Sequence, residues 1–247
     1  LHSEMAKTLF SIYAWTYFVL LFIVYFVIIA LTFLITFPFD RYRKITNRQL
    51  GFMATLMMKV SPGWKQTIKG VDRFDPEKPT IFIANHQSFM DIPFIFQLPW
   101  KMKWVVKHSM TYIPVMGWMV KLTGQLTINR SSKSALKKLS NLVRPLKDLV
   151  PVMIFPEGTR SLDGEIRSFK NGAFLLAMEH GFTIQPIVID GAHETLQSGS
   201  SNLSPNANFK MEVLDAVNPA DFSGMAELKE HCRNLLIEKL EELRRSD

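Results

Sequence analysis

Across residues 8–39 the chain has no charged side chain and is dense in Phe, Ile, Leu and Val, with Lys7 and Asp40 as the nearest charges. As a helix this run is about 48 Å long, against roughly 30 Å of bilayer hydrocarbon. It is too long and too uniformly apolar for the core helix of a soluble domain. A secretory leader is a poor match, because the apolar run far exceeds the usual length and no small-x-small cleavage site follows it. Tyr13, Trp15 and Tyr17 near one end and Tyr42 at the other stand where amphipathic rings favour the headgroup region. The pattern predicts a membrane-anchoring helix that spans, tilts or bends back into one leaflet; hydropathy allows all three. A second run, residues 50–60, sets Leu50, Phe52, Met53, Leu56, Met57 and Val60 at helical spacing and is too short to span. It fits an interfacial helix or an amphipathic helix packed on the domain. Residues 1–62 are therefore read as membrane-anchoring helices and residues 63–247 as a cytoplasmic domain.

Within that domain β-rich runs at 80–84, 103–107, 125–128, 150–155, 183–189 and 209–213 alternate with helical patterns at about 89–97, 112–122, 134–147 and 169–180. Such alternation predicts an α/β fold with a mostly parallel sheet flanked by helices, whose chemistry gathers at the carboxyl ends of the strands. A last amphipathic segment, residues 225–243, puts Leu228, Cys232, Leu235, Leu236, Leu240 and Leu243 on one helix face. Cys232, the single cysteine, reads as a small core residue; alone it excludes an internal disulfide and a cysteine-rich metal site and suits a reducing compartment.

Composition agrees with a real core: 47% of the 247 residues are hydrophobic and 21% charged, which excludes a disordered tail. The net charge of +7 divides unevenly, since Lys7 against Glu4 and Asp40 leaves −1 for residues 1–40 and hence +8 for the remainder. Arg41, Arg43, Lys44 and Arg48 follow the apolar run while only Lys7 precedes it, which predicts that the domain lies on the cytoplasmic face of a membrane. Residues 100–148 hold ten Lys or Arg and one acid, Asp148. That stretch favours anionic lipid, phosphate-bearing substrates or an acidic partner, with a solvated helix face accounting for about half of it. No nucleic-acid motif accompanies the charge.

Three clusters could carry chemistry. The first strand of this alternation runs into Asn85-His86-Gln87-Ser88-Phe89-Met90-Asp91. On a continuous helix positions five apart diverge by about 140°. His86 and Asp91 can therefore meet only if His86 precedes a helix and Asp91 lies in its first turn, an arrangement that Ser88 as N-cap would allow. Asp91 could then fix the imidazole tautomer and leave the other ring nitrogen to take a proton; a simple helix cap is the competing reading. After the fourth β-rich run comes Phe155-Pro156-Glu157-Gly158-Thr159-Arg160-Ser161, where Gly158 permits a tight turn, Arg160 offers a fork for phosphate and Glu157 could orient Arg160 or a substrate hydroxyl. A plain turn with a surface ion pair has the same composition. Arg130, between a strand and the Ser-rich helix start at Ser131, Ser132 and Ser134, is a candidate anion site. Neither an H-E-x-x-H pattern nor a Cys/His cluster occurs, so no metal and no cofactor are expected.

Asn85-His86-x-Ser88-x-x-Asp91, then Ile128-Asn129-Arg130, then Phe155 to Ser161, then Gln185-Pro186-Ile187-Val188, in that order and spacing, resemble the four motifs of the glycerolipid acyltransferases, in particular the bacterial 1-acyl-glycerol-3-phosphate acyltransferase type. The likeness covers residues 64–213. It implies that His86 is a general base oriented by Asp91, and that Lys107, Arg130, Glu157, Gly158, Thr159 and Arg160 serve the glycerol phosphate site. Two departures from the family pattern stand out: His108-Ser109-Met110 after Lys107, and Gln185 before Pro186.

The resemblance implies transfer of an acyl group from an acyl carrier protein or coenzyme A thioester to the sn-2 hydroxyl of lysophosphatidic acid, giving phosphatidic acid. Direct transfer is favoured because no G-x-S-x-G elbow is present. Phe94, Ile95, Phe96, Leu98, Tyr112, Ile113, Val115, Met116, Trp118 and Met119 could line an acyl channel, with ordinary core packing as the alternative for most of them. Two rival functions remain at this level: a related glycerol-3-phosphate or lysophospholipid acyltransferase, and a non-catalytic lipid-binding protein on the same fold.

Overall fold

The computed structural model describes residues 2–128 and 139–245. Helix α1 (His2–Thr36) is followed by a short turn and α2 (Lys44–Met58). Asp40 makes that turn: its carboxylate accepts the N–H groups of Lys44 at 2.7 Å and Ile45 at 2.8 Å, satisfying two of the donors exposed at the start of α2. Then come β1 (Trp64–Lys69), β2 (Thr80–Ala84), α3 (Asp91–Ile95), β3 (Lys103–Lys107), α4 (Met116–Leu122), β4 (Leu126–Ile128), α5 (Val143–Lys147) and β5 (Val152–Ile154). The chain closes with α6 (Gly172–His180), β6 (Thr183–Asp190), α7 (Ala192–Thr195), β7 (Ala207–Val213) and α8 (Met225–Arg245).

Among the described residues the sheet is seven-stranded, in the order β1-β7-β6-β2-β5-β3-β4. Strands β6, β2, β5, β3 and β4 are mutually parallel, whereas β7 runs antiparallel to β6 and β1 pairs parallel with β7. The fold is the mostly parallel α/β architecture that the alternation predicts. Its central strands are buried on both faces, which is why they read as continuous apolar runs. Phe82 and Ala84 of β2 face one layer, with α1, α2 and α3; Ile81 and Ile83 face the other, with α6 and α8. Strand β1 escapes the hydropathy pattern because it is an edge, with Lys65, Gln66 and Thr67 exposed.

Local chemistry explains the other differences. The helix expected over 112–122 is split, because Pro114 holds Ile113 extended at φ −72°, ψ 121°, leaving a 3-10 turn at His108–Tyr112 before α4. Residues 134–147 are described only in part, as a 3-10 turn at Ser140–Leu142 and α5. Helix α2 is not a separate surface element: Met53, Ala54, Met57 and Met58 are buried in the layer that holds α1 and α3. On α1 itself Ala14, Phe18 and Ile29 are fully buried against the domain, while Leu20, Val24, Val27, Leu31, Leu34 and Ile35 are exposed. The first two helices thus share one core with the sheet.

Candidate active site

The site begins where β2 ends. Asn85 is fully buried, its Nδ2 donating to the Ile189 carbonyl at 2.7 Å and its Oδ1 accepting the Ile189 N–H at 2.8 Å. The amide side chain thereby continues the β2–β6 ladder one step past the strand and lets the backbone turn away at His86. From that position His86 Nδ1 lies 2.8 Å from Oδ2 of Asp91, the first residue of α3. His86 precedes the helix and Asp91 opens it, the only register in which the pair can meet.

The same Asp91 oxygen accepts the N–H groups of Gln87 at 2.7 Å and Ser88 at 2.8 Å, and the carboxylate is fully buried. An acceptor so engaged requires Nδ1 to carry the hydrogen, which leaves Nε2 with its lone pair. Among the described residues Nε2 has no hydrogen-bond partner. Asp91 thus ties down the turn before the helix, and Ser88 is not the side-chain cap expected of it: its hydroxyl donates to the Leu196 carbonyl at 2.6 Å and receives the Met90 N–H at 3.3 Å. The imidazole also stacks on Phe155, with centroids 3.9 Å apart and planes 9° from parallel. Ring rotation is blocked by the carboxylate on one side and the phenyl face on the other.

Glu157 is placed differently from the expectation that it lines the phosphate site. It is 3% exposed, with Oε1 accepting the His86 N–H at 2.8 Å and Oε2 accepting the Arg167 N–H at 3.0 Å. Its carboxylate is a brace between loops. Burial pushes its pKa up to about 7, outweighing the two N–H donors that favour the anion. A further bond, Ser161 N–H to the His86 carbonyl at 2.8 Å, ties the same loops together. Gly158 adopts φ +77°, a left-handed conformation that favours glycine, in a turn closed by its N–H on the Phe155 carbonyl at 3.1 Å. The turn delivers Thr159 and Arg160 to solvent, and Arg160 makes no hydrogen bond or ion pair among the described residues. Lys107 is exposed at the carboxyl end of β3, the same end of the sheet. Arg130 lies outside the described residues. No three His, Cys, Asp or Glu side chains converge as a metal site among the described residues.

Beside the histidine an apolar groove of about 760 Å³ opens between α1, α2 and the sheet. It is lined by Phe22, Met53, Ala54 and Met57 from the first two helices, by Phe89, Ile92 and Phe96 around α3, and by Trp104, Met116 and Met119. The Trp104 ring lies 5.9 Å from that of Phe155, so the groove wall continues to the plane of the imidazole. Of the ten residues read as channel candidates, Phe96, Met116 and Met119 line it; Phe94, Ile95 and Leu98 are buried core, Val115 is partly buried against that core, and Tyr112, Ile113 and Trp118 are exposed. Sequence reasoning missed the contributions of α1 and α2 to this groove, and the roles of Asn85 and Phe155. Asn85 leaves one trace in the sequence, an amide where a buried apolar strand ends.

A family model described as Acyltransferase matches residues 65–190, just over half of the chain and the whole span from β1 to the end of β6. A 1-acyl-sn-glycerol-3-phosphate acyltransferase of Chlamydomonas reinhardtii is 40% identical over 172 residues, covering 68% of this chain and 51% of that protein. One from Pseudomonas aeruginosa is 33% identical over 149 residues, covering 60% of this chain and 57% of its own. The chain spans about half the length of the curated relatives it matches. The crystal structure of the 1-acyl-sn-glycerophosphate acyltransferase of Thermotoga maritima has the same fold, with a TM-score of 0.80 at 24% identity over 98% of both chains. With the His86–Asp91 pair at the head of the matched span, the chain belongs to the acyltransferase family.

Proposed function

We propose that the protein transfers a fatty acyl group from a thioester of acyl carrier protein or coenzyme A to the sn-2 hydroxyl of 1-acyl-glycerol-3-phosphate. The observation that carries this reading is His86, held by Asp91 at 2.8 Å with Nε2 unpartnered among the described residues, beside an apolar groove. Nε2 takes the hydroxyl proton as the oxygen attacks the thioester carbonyl, and Asp91 stabilises the imidazolium. Collapse of the tetrahedral intermediate breaks the C–S bond, and the imidazolium returns the proton to the leaving thiolate. The oxyanion needs hydrogen-bond donors. The N–H groups of His86, Gln87 and Ser88 are already engaged, whereas those of Thr159 and Arg160, after Gly158, have no partner among the described residues. They are the donors we assign. Arg160 and Lys107 bind the acceptor phosphate, and Glu157 holds the loop that presents Arg160.

Helix α1 is long and apolar enough to cross a bilayer. It is docked along the domain instead: Trp15 Nε1 donates to the Ser201 carbonyl at 2.7 Å, and Phe26 packs on Trp118 further along. A perpendicular crossing would drag a basic, polar domain into hydrocarbon. The reading that fits is a helix with its exposed apolar face in the cytoplasmic leaflet, so that residues 1–62 seat the domain on the membrane and the groove receives lipid from the leaflet.

The test is an assay of the purified full chain with lysophosphatidic acid and with glycerol-3-phosphate, each with both donors. Phosphatidic acid formation from lysophosphatidic acid is expected. In His86→Ala, turnover should fall by roughly 10²- to 10⁴-fold with membrane association unchanged; wild-type-like turnover in that variant would sink the mechanism. Arg160→Ala should raise the acceptor KM roughly tenfold with kcat little altered. An unchanged KM removes Arg160 from the phosphate site.

A further inference from the structure

At the opposite end of the sheet from His86 a second concave site, of about 600 Å³, lies against the turn between α1 and α2 and is lined by Arg41, Tyr42, Arg43, Lys103, Lys121 and Gly124. Lys103 opens β3 whereas the catalytic loops leave the carboxyl ends of the strands, so the length of β3, roughly 13 Å, separates the two ends. Four cations face this site and acids are scarce. Asp40 has its oxygens on the N–H groups of Lys44 and Ile45, and Asp148 takes the Tyr42 hydroxyl and lies 3.6 Å from Arg41. Arg43, Lys103 and Lys121 have no carboxylate within ion-pair distance among the described residues.

Lys103 is 4% exposed, with its ammonium donating to the Thr123 carbonyl at 2.6 Å. Burial and then the Arg43 charge pull its pKa down to about 8, with Asp40 opposing them. An ammonium so placed gains from any anion that joins it. Gly124, at φ +64°, makes the crowding possible: a Cβ there would stand 2.9 Å from Arg43 Cγ and 3.4 Å from Lys103 Nζ. Arg43 is tied to the end of α1, its guanidinium lying 4.8 Å and 4.7 Å from the ring centroids of Phe33 and Phe37. That end also carries the most exposed large apolar side chains of α1 and its turn: Leu34 and Ile35 at 71% and Phe39 at 69%.

From an apolar rim beside a cationic hollow in which only Arg41 meets a carboxylate, we infer that this is a second lipid site, holding the phosphate-bearing headgroup of an anionic phospholipid in the leaflet that receives α1. The inference rests on α1 lying against the bilayer and not on the reaction proposed above, so it survives or fails independently of acyl transfer. Arg41, Lys103 and Lys121 would meet the phosphate oxygens, and Arg43 would couple the occupied site to the aromatic end of the helix.

The full chain, as wild type and as the double variant Arg41→Gln/Lys121→Gln, is sedimented with phosphatidylcholine vesicles with and without phosphatidylglycerol. Both substituted residues are exposed, so the fold is kept. At about fivefold per cation near the surface, affinity for the anionic vesicles should fall roughly 25-fold, with binding to neutral vesicles unchanged. A control pair on the far layer, Lys229→Gln/Arg245→Gln, removes equal charge and should change affinity less than about twofold. Equal loss in both pairs, or none in the first, overturns the site. Labelling of Lys121, the exposed lysine of the site, by an amine-directed reagent separates the sources of phosphate: dispersed short-chain phosphatidylglycerol should protect it and inorganic phosphate should not. Equal protection by inorganic phosphate overturns the lipid assignment.

Discussion

His86 is ordinary as a residue and specific only through its neighbours. Asp91 sets its tautomer, Phe155 its plane, and the carboxylate of Glu157 holds the peptide N–H from which it hangs. Glu157 is the costly member of the group, because two N–H donors do not fully replace lost water. Its pKa is raised from 4.5 to about 7. A raised value means that its contribution to stability is fully present below pH 4.5 and is lost as pH rises through 7. Unfolding free energies from denaturant titrations across that window should fall in the wild type by on the order of 3 kcal/mol relative to Glu157→Gln. Parallel profiles would show that Glu157 is not the titrating group. The sequence made the residue types of this cluster legible and their general arrangement predictable. It concealed the inward aim of Glu157, because whether a carboxylate after a strand faces solvent or a neighbouring loop depends on a partner seventy-one positions away.

Among the elements, α2 changes most from pattern to structure. Its apolar face reads equally as interfacial or core, and packing decides: Met53, Ala54 and Met57 line the groove. Ala54, 2% exposed, is the small residue among bulky neighbours, so Ala54→Phe should fill part of the groove. Turnover measured across donor and acceptor chain lengths should shift toward shorter acyl chains, the longest losing most. A folded variant with an unaltered profile would exclude this groove as the acyl site. The parallel strands were readable because burial on both faces makes them uniformly apolar, whereas β1, exposed on one side and polar, carried no such mark. The break at Pro114 was written in the sequence too, since a proline restrains the residue before it, yet helical spacing on both sides concealed it.

Across the whole molecule, the sheet divides two cores and gives them different work. One layer, with α1 to α3, forms the groove; the other, with α6 and α8, is a closed core. Cys232 lies in the closed core, fully buried, and burial raises its thiol to about 12. It should therefore resist a thiol reagent in native buffer and react as denaturant unfolds the chain, in step with the loss of far-UV circular dichroism. Labelling in native buffer as fast as that of free cysteine would show that α8 opens locally.

Hydropathy, charge and motif order by themselves determined the apolar leading helix and the alternating α/β fold, and restricted any pairing of His86 with Asp91 to one register. Each of these follows from spacing along one chain: a run length, a period, or the angle between positions on a helix. Only the tertiary structure decided that α1 lies along the domain, that α1 and α2 wall the groove, and that the basic stretch divides between the catalytic end of the sheet and the hollow under Arg43. Those outcomes depend on which surfaces meet across more than a hundred positions, as Trp15 meets Ser201. Burial and desolvation, which set the behaviour of Glu157, Lys103 and Cys232, exist only once those surfaces have met.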